Sequence, residues 1–465
     1  MTANGALFLE SVLRNVDYNS FRNCWGRAFD VTVAIELNRS TFGQSWLSAT
    51  TQSRLSIDDE VSYWQQYGIN HFDTQWQNFK LLGLVNSYAV SNMFGMSYPF
   101  TLQYQNASFR FEKETTLKMY WGLACDLTAA THNTSQIPGL SLVRSSPSYA
   151  FANTSLASVL RANGTLPSPL GNAFVVMQNI LGPFGSVDMY YIPCPLDAKL
   201  AVRQSLVLLR RALDGGVAAQ SSYSQISHPL NNLSPAPKAW TDIGFAAVGG
   251  NLLCEATTFA SAFPVSFGMT TLTSWGSACY SLAIWTSWYL TREAMIVSAI
   301  MSNLTSPAMI ADTCAQNALY TTTCLVYLNQ TVEFVATYIT RQDVEALGDT
   351  IAHTTAIIHA LNISLVQYGM LDAHAPVVLY QLNILDPTQV EFAFFAWSML
   401  VDWTFGTREV VSFTGDAGSM TVLTEYLPPL HQPVNDSENQ VHFSLYLRST
   451  VFYVTYAMIA LAALV

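Results

Sequence analysis

Charge is what this chain lacks most. Charged residues make up 11% of its 465 positions, less than half the roughly 25% of ordinary soluble proteins. With half of all residues hydrophobic, it has neither the composition of a disordered chain nor the charged surface of a typical soluble enzyme. The 20 Lys plus Arg are outnumbered by 31 Asp plus Glu, a net charge of −11, and only five of the basic residues are lysine. A surface that tracks phosphates is excluded on that balance, so nucleic acid is not an expected partner.

Several chemistries are missing as well. There is no G-x-S-x-G elbow, no H-E-x-x-H, no C-x-x-C, no G-x-G-x-x-G and no phosphate loop with its lysine, so hydrolase, zinc, redox and nucleotide signatures are absent and no cofactor is expected. His353, His359 and His374 lie near Asp349 and Asp372, but the first two are six residues apart and fall on different faces of a helix. Ordinary hydrogen-bonded histidines explain them better than a metal site does.

What is abundant is the N-glycosylation pattern Asn-x-Ser/Thr. It occurs at Asn38, Asn106, Asn133, Asn153, Asn163, Asn232, Asn303, Asn329, Asn362 and Asn435, ten of the 25 asparagines. With Ser and Thr near a sixth of the chain, chance would give roughly four. The excess points to a secretory lumen or the extracellular side, with glycans supplying the solubility that charge does not.

Seven scattered cysteines suit an oxidising compartment. The expected pairs, in order of preference, are Cys314 with Cys324, Cys254 with Cys279, and Cys125 with Cys194, leaving Cys24 over. Spacing alone does not fix the connectivity.

The C-terminus, STVFYVTYAMIALAALV, is an uncharged run of 17 residues from Ser449 to Val465, just after Arg448. At 1.5 Å per residue it would span about 25 Å, against a hydrocarbon layer of roughly 30 Å. A transmembrane helix in contact with lipid is expected there, with Tyr453 and Tyr456 near the interface. The first twenty residues carry no basic start and contain Glu10, unlike a signal peptide. The expectation is therefore an extracytoplasmic region lying between an upstream span and the one near Ser449.

Along the chain, Ser56–Gln66 reads as a helix capped by Ser56, with Asp58, Asp59 and Glu60 in its first turn. Residues 71–90 and 97–105 read as strands around a turn at 92–95. Val202, Leu206, Leu209 and Leu213 recur at helical spacing over Asp197–Asp214, which Gly215-Gly216 ends. Residues 215–238, rich in Gly, Ser, Asn and Pro, read as a linker between two subdomains, 1–214 and 239–447.

Further helical patterns cover Trp275–Met301, Pro307–Tyr327, Gln342–Leu361 and Thr388–Trp403, with strands at Phe184–Ile192, Ser364–Met370 and Val377–Leu385. Arg408–Tyr426 is the best hairpin, two β-rich runs about Gly415-Asp416-Ala417-Gly418. Mixed order without regular βαβ alternation gives α+β as the fold class.

The stretches GTREVVSFTGDAGSMTVLT and QWQNFKLLGLVNSYAVSNMFGMSYPFTL resemble segments of uncharacterised multi-pass membrane proteins of water moulds with a large ectodomain. The resemblance implies a topology, an ectodomain between spans, and no activity.

Two functional classes follow. The first is a non-enzymatic ectodomain binding or sensing an extracellular ligand, a sugar or a small apolar molecule suited to the 12% aromatic content, or serving as the outer domain of a multi-pass transporter. The second is an extracellular glycoside hydrolase, for which Asp402 with Glu409 is the one carboxylate cluster to inspect. Trp285 and Trp288, three apart, read as packing anchors on a helix.

Overall fold

The structure is a computed structural model. It describes residues 38, 41, 44, 56–66, 80–91, 97–107, 168–182, 187–227, 233–254, 262–274, 286, 288, 290–415, 417–426 and 441–464. The chain forms two compact units, Met1–Leu427 and Pro428–Val465.

The first unit is mixed α and β, as expected. Helix α1 (Ile57–Gln66) starts where its cap lies: the Asp59 amide donates to Ser56 Oγ at 3.1 Å, and that hydroxyl donates to the Asp59 carboxylate at 2.6 Å. Strands β1 (Lys80–Ser91) and β2 (Ser97–Ala107) pair antiparallel as a two-stranded sheet, with a register shift between Leu82 and Val85.

The main body is a seven-stranded sheet and the helices around it. In chain order these are α2 (Asn172–Leu181), β3 (Asp188–Ile192), α3 (Leu196–Asp214), α4 (Val217–Gln225), α5 (Lys238–Ile243), β4 (Ala246–Gly249) and β5 (Phe263–Pro264). Then come α6 (Arg292–Met301), α7 (Pro307–Ala315), α8 (Thr321–Tyr338), α9 (Arg341–Ala346), α10 (Gly348–Ala360), β6 (Ile363–Met370), β7 (Val378–Asn383), α11 (Ala393–Phe405), β8 (Val410–Thr414) and β9 (Ser419–Leu423).

The strands run β3-β8-β9-β6-β4-β5, with β7 on the other side of β6. All pairs are antiparallel except β6 with β9, which meet in parallel at Ile363↔Thr421 and Ser364↔Val422. Every residue of β6 is buried, as befits a strand covered on both faces.

Alternation divides its side chains between two cores. Ile363 and Leu365, with Ala247 and Val410, join the cluster built by α3, α6, α8 and α11. Val366, Tyr368, Val411 and Phe413 join a smaller cluster with Phe174 and Met177 of α2.

The expected β8–β9 hairpin is present. At its turn the Gly415 amide donates to Gly418 O at 2.9 Å and the Ala417 amide to Leu181 O at 3.1 Å, against the end of α2. A Cβ at Gly415 would collide with that same Leu181 carbonyl, so the turn requires a glycine there.

Four expectations need correcting. The stretch 215–238 is not a spacer where it is described: it contains α4, and its Ile226, Leu233 and Ala236 share one core with Val202 before it and Phe245 after it. Its Gly and Ser content marks the turns between packed pieces.

Within the helix expected over Trp275–Met301, the helix that ends at Met301 starts at Arg292. Thr291 caps it by accepting from the Ala294 amide, and Thr286, Trp288 and Leu290 lie outside any helix. Trp288 is indeed a packing anchor, edge-on to Phe395, but not a helical one; Trp285 lies outside the described residues.

Cys194 does not pair with Cys125. It is a free, buried thiol just after β3, packed in the larger core, where a bond would have to reach into close-packed side chains.

In the second unit, helix α12 (Val441–Leu464) begins eight residues before Ser449 and includes Arg448. Among the described residues no helix is long and apolar enough to cross a membrane. Beyond Arg448 the uncharged part of α12 is about 24 Å long, short of the hydrocarbon thickness. Its apolar side chains are nevertheless exposed, among them Val451, Phe452, Ile459 and Leu461.

Candidate functional site

The sequence singled out Asp402 and Glu409, and the structure places both at the junction where α11 runs into β8. Helix α11 ends at Gly406, whose φ of 81° lets the chain reverse. The freed Asp402 carbonyl then accepts from the Thr407 amide at 2.9 Å and the Thr407 hydroxyl at 3.0 Å. This tight reversal brings Arg408 back over the helix it has just left.

Arg408 is fully buried. Its Nε donates to Asp402 Oδ2 at 3.1 Å, its guanidinium donates to Thr424 O at 3.0 Å, and the group lies 5.9 Å from the centre of the Trp288 ring. Glu409 is buried beside it: its amide donates to Thr424 Oγ1 and its carbonyl accepts from the Thr424 amide, both at 2.9 Å. Glu425, also buried, accepts from the Leu272 amide at 3.0 Å.

One guanidinium and two carboxyl groups, those of Asp402 and Glu425, thus join α11, the base of the β8–β9 hairpin and the segment at 272–273. Burial pushes the Asp402 carboxyl up to about 6; the Arg408 guanidinium pulls it down and Glu425 pushes it up again. Chemically the arrangement is a closed polar lock. Arg408 is spent on Asp402 and the Thr424 carbonyl, and Glu425 on the Leu272 amide, while the Glu409 side chain, next along the chain, acts on Tyr191 of β3 on the other face.

Arg408 and Glu425 were missed by the sequence reading. The available signal was a lone Arg-Glu pair followed by five strand residues in a chain with so little charge.

One cavity among the described residues lies between α7 and the turn before α11, lined by Leu304, Met309, Asp312, Val390, Glu391 and Phe394 among others. At about 100 Å³ it is well below the roughly 300 Å³ at which small-molecule pockets begin. Among the described residues there is no group of three or more His, Cys, Asp or Glu that could hold a metal. His353 stands 3.8 Å from Asp197 on the surface, and the His374 amide donates to Asp372 in the β6–β7 turn.

The acceptor asparagines whose exposure is described fall on the surface. Asn38, Asn303, Asn329 and Asn362 are all exposed; Asn106 lies on β2; Asn133, Asn153, Asn163, Asn232 and Asn435 lie outside the described residues. Asn303 and Asn362, with φ of 53° and 50°, are the only non-glycine residues of positive φ among those described. Each follows a helix, α6 or α10. At Asn303 the Leu304 amide returns to Ala299 O and the Asn303 amide to Ile300 O, a helix stop in which asparagine takes glycine's usual place. Asn329 differs: on the exposed side of α8, its Nδ2 donates to Leu325 O at 2.7 Å.

Cys314 and Cys324 are bonded, as expected from their spacing, with Cα atoms 5.5 Å apart, and the bond joins α7 to α8. Cys254 is disulfide-bonded too; Cys279, Cys125 and Cys24 lie outside the described residues. The free Cys194 thiol is pushed up to about 12 by burial, against the pull of Lys199, so it stays neutral and unreactive near pH 7.

Comparison with protein-family models, curated proteins and solved structures gave no match.

Proposed function

We propose that the chain is a glycan-bearing extracytoplasmic domain that binds or senses an extracellular ligand without catalysing a reaction. The observation that carries this reading is the exposure of all four acceptor asparagines whose side chains are described, Asn38, Asn303, Asn329 and Asn362. The Cys314–Cys324 bond fits the same oxidising compartment.

The uncharged end of α12 is then the lipid contact, reaching into a bilayer without accounting for a complete span. Arg448 marks its polar limit, 5.5 Å from the Phe452 ring, a position suited to a side chain that keeps its charge at the interface. A glycoside hydrolase is disfavoured on this reading because Asp402 is locked against Arg408 and Glu409 is buried on the other face at the start of β8. The carboxylates that line the described cavity, Asp312 and Glu391, have space for a few waters and not a sugar ring.

The test is enzymatic removal of N-glycans from the full chain made in a eukaryotic secretory host with its native flanking sequence. A mobility increase is expected. Unchanged mobility, with the chain recovered in the cytosol, would overturn the reading.

A further inference from the structure

Where α11 gives way to β8, two carboxyl groups and one guanidinium are taken out of water together. Asp402 and Glu425 are 5% and 7% exposed, and Arg408 is 0% exposed. One guanidinium cannot balance two carboxylates, and a buried excess of negative charge is relieved most cheaply by keeping a proton.

The charged groups that act on Asp402 are Arg408 and Glu425; the neighbouring Glu409 acts with Cys194 on Tyr191 of β3 instead. The 272–273 segment contributes backbone alone, and Trp288 its ring.

We propose that Asp402, Arg408 and Glu425 form a proton-holding clasp, which ties α11 to the base of the β8–β9 hairpin more firmly in mildly acidic surroundings than at neutral pH. The site of the proton is Asp402. Burial is the first cause of its raised pKa of about 6, and Glu425 adds to it.

The direction of the effect follows from linkage. The folded chain keeps a proton that the unfolded chain, with an ordinary aspartate, has released by about pH 4 to 5. The stability this supplies is therefore complete below about pH 4 and lost as pH rises through about 6. Ordinary exposed carboxylates titrate below that upper range. Because other groups can change charge over the same interval, the clasp is read as a difference between the wild type and a variant. None of this depends on whether the asparagines carry glycans.

The experiment is urea unfolding of the full chain in a mild detergent at pH 5, 6 and 7, for the wild type and Asp402→Asn. The variant keeps a side-chain oxygen for Arg408 but cannot titrate. The wild type is expected to gain about a tenfold larger unfolding constant between pH 5 and 7 than the variant does over the same interval. An identical pH response in both would overturn the proposal. Should Asp402→Asn fail to fold, Glu425→Gln decides: it is expected to move the midpoint of the wild-type pH response downward, and an unmoved midpoint would overturn the clasp.

Discussion

Helices α11 and α12 are made of similar residues and live in opposite surroundings. From Phe394 to Thr404 every residue of α11 is buried, Asp402 included. Along α12, Leu447, Val451, Phe452, Val454, Met458, Ile459 and Leu461 are all exposed. A helix apolar on every side needs cover on every side. For α11 that cover is visible in Trp288, α6 and the sheet; for α12 the proposed cover is lipid. The lesson is that apolar composition specifies burial but not what does the burying.

Substitutions should break this pair apart most sharply. Phe395→Ala in α11 removes a fully buried ring that contacts Trp288, Phe392 and Phe394. It should cost about 3–5 kcal/mol in urea unfolding, a large share of a typical domain's stability. Ile459→Asp in α12 should change the same measurement by less than about 0.5 kcal/mol, while reducing co-flotation of the chain with lipid vesicles. Equal losses of stability would mean that α12 is a core helix.

A middle-sized effect tests the α7–α8 corner of the α11 body. The Cys314–Cys324 bond closes a loop over a sequence separation of 10, so Cys314→Ser should lower stability by about 2–3 kcal/mol on chain-entropy grounds. Peptide mapping without reductant should recover the linked pair from the wild type. Recovery of both residues as alkylated thiols would remove the bond.

The smallest effect concerns the helix stop at Asn303. Because its φ is 53°, Asn303→Gly should leave stability within a few tenths of a kcal/mol of wild type or raise it slightly, while Asn303→Ala should cost about 1 kcal/mol. Both variants remove the acceptor nitrogen. A glycan lost without a loss of stability in the glycine variant separates the capping role of this residue from its modification.

That double role shows how far the sequence could be read. Local features were legible because local forces make them: the Ser56 cap, the apolar stripe of α3, the Gly415–Gly418 turn and the short disulfide loop. Long-range features were not. Nothing in DMYYI announces that β3 will pair with β8 more than two hundred residues later, because a strand's partner is fixed by tertiary packing.

The start of α6 was misplaced for a different reason. Apolar residues continue upstream through Trp288, and periodicity outweighed the cap signal of Thr291 followed by Glu293. In the structure, burial pushes the Glu293 carboxyl up, but the Tyr223 hydroxyl, donating at 2.5 Å, and further hydrogen bonds outweigh it and hold the group below its ordinary range. An acid that reads as costly inside a hydrophobic run is, at a helix start, a tie between α6 and α4.

The candidate site was half legible. Asp402 and Glu409 stood out as acids in an apolar stretch, but the arginine between them was passed over, and Glu425 is brought in by the hairpin. The sequon excess also weakens once two of its members, Asn303 and Asn362, are seen to serve as helix stops, since backbone geometry alone favours asparagine there.

The most direct measurement is therefore site-resolved: release of N-glycans from the secreted full chain in heavy-oxygen water, followed by peptide mass spectrometry at Asn38, Asn303, Asn329 and Asn362. Conversion to labelled aspartate at a majority of these four is the predicted result for an extracytoplasmic domain. Unmodified asparagine at all four, in a chain shown to be folded, would contradict it.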